Sequence, residues 1–168
     1  MSEDDLAKKK IEQAIKCSES RDFEDAIKLC TEAIIISSDK RKAYKERSFI
    51  YAKMKLWDKA IEDVTHLIDS VSKEPCDFFT RGRWLLAQSN WKQAIEDFTT
   101  VLSIEEEINN TYYSESAYFF RAVAYLYKRE YEKAIKDCFN VRDGFSIYLL
   151  GSIKSKEEII MEAKRKKK

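Results

Sequence analysis

Glycine and proline are almost missing from this chain, with three of the first and one of the second in 168 residues. So few breakers leave little to interrupt a helix and argue against a fold built on tight hairpins. Three glycines cannot furnish a glycine-rich phosphate loop, and neither GxSxG nor HExxH occurs. The single histidine, His66, sits among Val64, Leu67 and Ile68 and reads as a surface or part-buried structural residue. Cys17, Cys30, Cys76 and Cys138 show no metal-ligand spacing. Three of them fall at expected core positions, as small buried hydrophobes in a reducing cytoplasm. No apolar run approaches the roughly 18 residues of a membrane span. The start, Met1-Ser2-Glu3-Asp4-Asp5, is acidic and predicts no secretory leader and a cytoplasmic location.

Neither sign of charge dominates. The formal charge is +1, and five positive charges lie in Lys164–Lys168, so the rest of the chain stands at −4. Nucleic acid is therefore not expected as a partner. The basic tail reads as a solvated helix end, where cations suit the helix dipole. The carboxylates Glu62-Asp63, Glu96-Asp97 and Asp137 are expected on solvated helix faces. No acid/base pair, cofactor site, metal site or small-molecule substrate site is expected, and the chain is not read as an enzyme.

What is abundant is repetition. Phe23-Glu24-Asp25-Ala26-Ile27 returns as Trp57-Asp58-Lys59-Ala60-Ile61, Trp91-Lys92-Gln93-Ala94-Ile95 and Tyr131-Glu132-Lys133-Ala134-Ile135, at intervals of 34, 34 and 40. A fixed period of this length signals stacked helical repeats. Counted from the aromatic, apolar or small residues recur at offsets 0, 3, 4, 7, 10 and 11, one face of an α-helix. The fourth copy follows through Val141 and fails at Arg142. Alanine at offset 3 predicts a close crossing where a larger side chain would overpack.

The preceding half of each repeat is a second amphipathic helix. Lys10, Tyr44, Phe78 and Tyr118 stand thirteen before the aromatic. Small residues, Ala14, Ser48, Gly82 and Ala122, stand nine before, and Cys17, Tyr51, Leu85 and Tyr125 six before. Gly82 inside a helix costs about 1 kcal/mol against alanine, which points to a packing reason. Connections such as Ser20-Arg21-Asp22 and Lys55-Leu56 are short enough to force antiparallel pairs. Pro75 suits a first helical turn, and Ser38-Asp39 and Ser72-Lys73-Glu74 close the helices before them.

This pattern resembles the tetratricopeptide repeat (TPR). The resemblance rests on the bulky aromatic, the alanine three on and the small residue nine before, in register over about residues 7–142. It implies an all-α, right-handed TPR solenoid of antiparallel helix pairs within a single domain. Its repeats fall at about 7–40, 41–74, 75–114 with an insertion, and 115–144, with a C-terminal cap over 145–168. A Cys17–Cys30 bridge within the first pair is the alternative to free thiols. In the cap, the apolar run Phe145–Gly151 is expected over the open end of repeat four. Ser155 is then expected as the N-cap of a last helix bearing Ile159, Ile160 and Met161.

The resemblance also implies a function. In this family the first helices line a concave groove that takes a protein partner. Here that groove would hold Ile11, Glu12 and Ile15, then Lys45, Glu46 and Phe49, then Phe79, Thr80 and Arg83, then Phe119, Phe120, Val123 and Tyr127. Solvent-facing aromatics in this number predict an interaction surface. The alternative is that the C-terminal helix or a second copy fills it. The family's carboxylate clamp for chaperone tails is absent, because its five places hold Ile11, Ile15, Glu46, Cys76 and Thr80. A second expected contact is the insertion, with Glu105, Glu106, Glu107, Asn109 and Asn110, where a tolerated surface loop is the competing reading. Arg47, Arg81 and Arg121, ten before their aromatics, are expected to pair with the recurring acids rather than with a partner.

Three roles remain open at this point. The first is an adaptor for a peptide or helix. The second is a stoichiometric inhibitor of a small enzyme, such as the immunity protein of a bacterial toxin pair. The third is a self-associating homo-oligomer.

Overall fold

A computed structural model describes residues 2–70, 74–149 and 151–167. Ser72 and Lys73 of the expected second-repeat closure, Leu150 of the apolar run and Lys168 of the tail lie outside them. Two compact units divide the chain, Met1–Lys73 and Glu74–Lys168.

The first unit holds α1 (Glu3–Glu19), α2 (Phe23–Ile36), α3 (Arg41–Lys53) and α4 (Trp57–Ser70). The second holds α5 (Pro75–Ala87), α6 (Trp91–Glu107), α7 (Ser114–Tyr127), α8 (Tyr131–Cys138), β1 (Ser146–Leu149), β2 (Ser152–Ser155) and α9 (Lys156–Lys167). Each repeated aromatic opens the second helix of its pair. Pro75 is the first residue of α5, where a missing N–H costs nothing. Ser2 and Asp5 form a capping box on α1, and the side chains of Asp22 and Asn90 cap α2 and α6.

The turn inside each pair is the same device four times. Arg21, Lys55, Ser89 and Arg129, two residues before their aromatics, have φ of 65°, 59°, 66° and 66°. In each turn the next N–H reaches back five residues, as Asp22 N to Cys17 O at 2.8 Å and Glu130 N to Tyr125 O at 2.9 Å. This is the Schellman closure, made here without glycine. A fifth copy ends α6, with Asn109 at φ 51°.

Within the pairs, Ala26, Ala60, Ala94 and Ala134 are fully buried. A first-unit core gathers Ala14, Ala26, Cys30 and Ile50. All four cysteines are free, Cys30 and Cys138 buried and Cys17 and Cys76 half-buried. Two rather than three are thus core residues, and the Cys17–Cys30 bridge is not formed. Burial pushes the thiols of Cys30 and Cys138 up to about 12.

The end of the second unit departs from expectation twice. α8 stops at Cys138, although Val141 beyond it is still buried. The apolar run is strand β1, paired antiparallel with β2 in the register Tyr148↔Ile153. The expected cap helix is α9, opened by a Ser155–Glu158 capping box, with Ile159 and Ala163 buried. It packs on α7 and α8. Lys156 Nζ ties it down, donating to Val141 O at 2.7 Å and Asp143 Oδ1 at 2.6 Å. The basic tail is the last turn of α9, where Lys167 pairs with Glu132 and Lys166 with Glu162.

Candidate protein-binding faces

The arginine stripe is consumed internally, as its spacing predicts. Arg47 holds Asp63 in a two-pronged pair at 2.9 and 2.7 Å, Arg81 holds Asp97 at 2.9 and 2.7 Å, and Arg121 holds Asp137 at 2.7 and 2.8 Å. All three aspartates are buried, so each carboxylate depends on its fork-shaped partner. Burial pushes the Asp97 carboxyl up against the pull of Arg81, whereas Asp63 raises the Arg47 guanidinium by hydrogen bonding. A third arm links pairs within a unit: Arg47 Nη1 donates to Thr31 Oγ1 and Arg121 Nη1 to Thr99 Oγ1, both at 2.9 Å. Repeat one lacks the device, carrying Gln13 and Leu29 at the two places.

In the first unit, α1 and α3 are neighbours and carry the expected face. Ile11 is buried, and half-buried Ile15 packs against its cluster with Ala7, Ala33, Ile34 and Ala43. Lys45 and Phe49 on α3 are half-buried.

In the second unit, α5 and α7 are the corresponding neighbours. Four expected groove residues do not face solvent, among them Thr80, whose hydroxyl donates to Cys76 O. Phe119 is 0% exposed, Phe120 2% and Val123 1%. The cause is local packing. Phe145, which leads into β1, lies 5.0 Å from the Phe119 ring, and Phe120 stacks on Phe98 at 5.7 Å. These residues are core, and Phe145, ahead of β1 rather than in the C-terminal helix, packs on Phe119. What reaches the surface is Phe79, half-buried beside Phe98, Phe120 and Tyr113, together with Arg83 and Tyr127. Tyr127 is 38% exposed and stacks on Trp91 at 4.7 Å and 14°. Arg83 lies over the rings of Trp84 at 5.5 Å and Phe120 at 5.7 Å.

The insertion also differs from a plain acidic loop. It lengthens α6 to Glu107, so Glu105, Glu106 and Glu107 are helical. Glu105 is buried and accepts from Tyr113 N at 2.8 Å and Ser114 Oγ at 2.6 Å, closing the loop onto the start of α7. Its carboxylate is a staple rather than a contact for a partner. Glu106, Glu107, Asn109 and Asn110 are exposed, although Asn110 Oδ1 already accepts from Tyr112 N. Ile108 and the 79%-exposed Tyr112 are apolar surface that the reading for charge passed over. An open depression of about 560 Å³ lies beside them, bounded by Thr99, Glu106, Asn109, Tyr118 and Arg121.

His66 is exposed with the Tyr44 ring 5.3 Å away, and it edges a depression of about 530 Å³ with Lys40 and Arg41. Among the described residues no group of His, Cys, Asp and Glu could hold a metal ion. No helix there is long and apolar enough to cross a membrane.

Antiparallel helix pairs with matched turns, buried alanines and paired first helices define an all-α repeat fold. No family model matches the chain, and no curated protein matches it. Solved structures do. MamA (residues 41 to the end) from Desulfovibrio magneticus RS-1 superposes with a TM-score of 0.70 at 16% identity, over 81% of this chain and 73% of that one. YrrB, described as a TPR protein with an unusual peptide-binding site, gives 0.63 at 15%, over 78% and 64%. A tetratricopeptide repeat protein from Parabacteroides merdae gives 0.70 at 15%, over 82% and 52%. The fold of this chain is that of the tetratricopeptide-repeat proteins.

Proposed function

We propose that this chain is a protein-interaction module without chemistry of its own. It binds a peptide or helix of a protein partner through the first-helix face of the second unit. The observation that carries this reading is the strip of Phe79, Arg83 and Tyr127, aromatic and cationic surface on neighbouring helices α5 and α7. Aromatic and arginine side chains of this kind are enriched at interface centres. The peptide-binding site of YrrB, on the same fold, supports it. Ile15, Lys45 and Phe49 are proposed as the matching contacts of the first unit.

A second reading is a stoichiometric inhibitor of the immunity-protein kind, docking through the insertion. Exposed Ile108 and Tyr112 beside Glu106, Glu107, Asn109 and Asn110 favour it.

Photo-reactive benzoylphenylalanine placed singly at Tyr127, Tyr112 and the exposed control Ile35 separates these in the source cell. A cross-linked protein of different mass from Tyr127 alone is the expected result. Capture from Tyr112 alone moves the site to the insertion. A product of twice the chain's mass means self-association, and equal capture from all three positions sinks the reading.

A further inference from the structure

The first helices of the second unit, α5 and α7, hold two kinds of arginine. Arg81 and Arg121 each have an aspartate sixteen residues on. Sixteen after Arg83 stands Thr99, which accepts instead from Arg121. Among the described residues no carboxylate pairs with Arg83, and its contacts are the faces of Trp84 and Phe120. Phe79 stands one turn earlier on α5 and Tyr127 on the neighbouring helix α7, and neither adds an acid. Burial alone lowers the affinity of its guanidinium for the proton, with no acidic neighbour to offset it.

Held over two rings, the half-buried guanidinium loses side-chain freedom before any ligand arrives. A pre-ordered fork recognises a carboxylate in two-pronged geometry, which a lysine cannot reproduce. We propose that Arg83 sets the specificity of the second-unit face by receiving an Asp or Glu side chain of the bound segment, with Phe79 and Tyr127 taking its apolar neighbours. This inference rests on the interaction reading above and names the chemistry of the partner.

Selection of the full chain against a random-peptide display library tests it. Wild type is expected to enrich peptides with Asp or Glu at one fixed position flanked by apolar residues. Arg83→Gln loses that preference and binds the wild-type peptides about 30-fold more weakly, the size of effect expected when one partner of a desolvated ion pair is removed. Arg83→Glu selects Lys or Arg at the same position. Arg83→Lys, which keeps the charge and the stem, retains the acidic preference at lower affinity. That outcome keeps the test meaningful if the other variants melt early by circular dichroism.

Enriched peptides without an acid, or an acidic preference that survives Arg83→Gln, overturn the inference while sparing the interaction reading. Failure to enrich any peptide over bare resin takes both away. A dimer in sedimentation that Arg83→Gln dissolves assigns the carboxylate to a second copy of the chain and overturns the peptide partner.

Discussion

A Cβ placed on Gly82 would lie 2.9 Å from Cε1 of Phe98, a separation that real side chains do not tolerate. Glycine in α5 and a fully buried phenylalanine in α6 are two halves of one fit. The other repeats put Cys30, Val64 and Cys138 where Phe98 stands, and alanine or serine where Gly82 stands. Gly82→Ala should therefore destabilise by about 1–3 kcal/mol, despite the better helix propensity of alanine. Added to Phe98→Val it should cost far less than it does alone. A double-mutant cycle by urea unfolding measures the coupling, and strictly additive losses would show that the two sites are independent.

The left-handed turns give the opposite sign. Ser89 and Lys55 hold a backbone shape that costs a side-chain-bearing residue about 1 kcal/mol. Ser89→Gly and Lys55→Gly should each raise stability by up to about that amount, less the entropy glycine adds to the unfolded chain. Met54→Gly, one residue earlier at φ −82°, should give no gain. Equal losses at all three positions in thermal melts would refute the strain.

Removing one half of a buried arginine–aspartate pair strands the other. Arg121→Gln should cost about 3–5 kcal/mol, whereas Arg121→Met with Asp137→Leu should come close to wild type. A double variant as unstable as the single one would mean that the pair contributes more than mutual neutralisation.

Glu105 should govern the order of the insertion. Glu105→Ala leaves the Tyr113 N–H without its acceptor, a loss of about 1–3 kcal/mol. Its amide should then exchange with deuterium much faster while the middle of α6 stays protected. Unchanged exchange at Tyr113 would remove the staple.

Thiol reactivity should sort the cysteines by burial. With iodoacetamide at pH 8, Cys17 and Cys76 should label first, and Cys30 and Cys138 only at the rate of global opening. Peptide mapping by mass spectrometry reads the order. Prompt labelling of Cys138 would show that α9 lifts away from α8 in the folded state.

Most of the helix architecture was legible because it repeats. The interval of 34 occurs twice, the acids at offset 6 three times and the alanine at offset 3 four times, so chance spacing averages out. Even the paired use of Arg47, Arg81 and Arg121 follows, since guanidinium and carboxylate recur with one period. What occurs once could not be read this way. Nothing repeats in Phe145–Ser155, and its strand pairing depends on a turn the repeat pattern does not contain. The groove residues Phe119, Phe120 and Val123 were misjudged as solvent-facing for a related reason. Their helical phase is that of a groove, but Phe145 and Phe98 close over them. Glu105 looked like loop charge because its donors, the Tyr113 N–H and the Ser114 hydroxyl, belong to a stretch that does not repeat.

The distance from arginine to aspartate is sixteen residues in all three pairs, whereas the distance between repeats changes from 34 to 40. Chain length is thus rationed inside a hairpin and unconstrained between hairpins. Growth of this protein, whether by descent or at the bench, has a natural seam at Asn109-Asn110. There a graft lengthens the exterior without touching an arginine–aspartate pair, provided buried Glu105 keeps its hold on Tyr113 and Ser114.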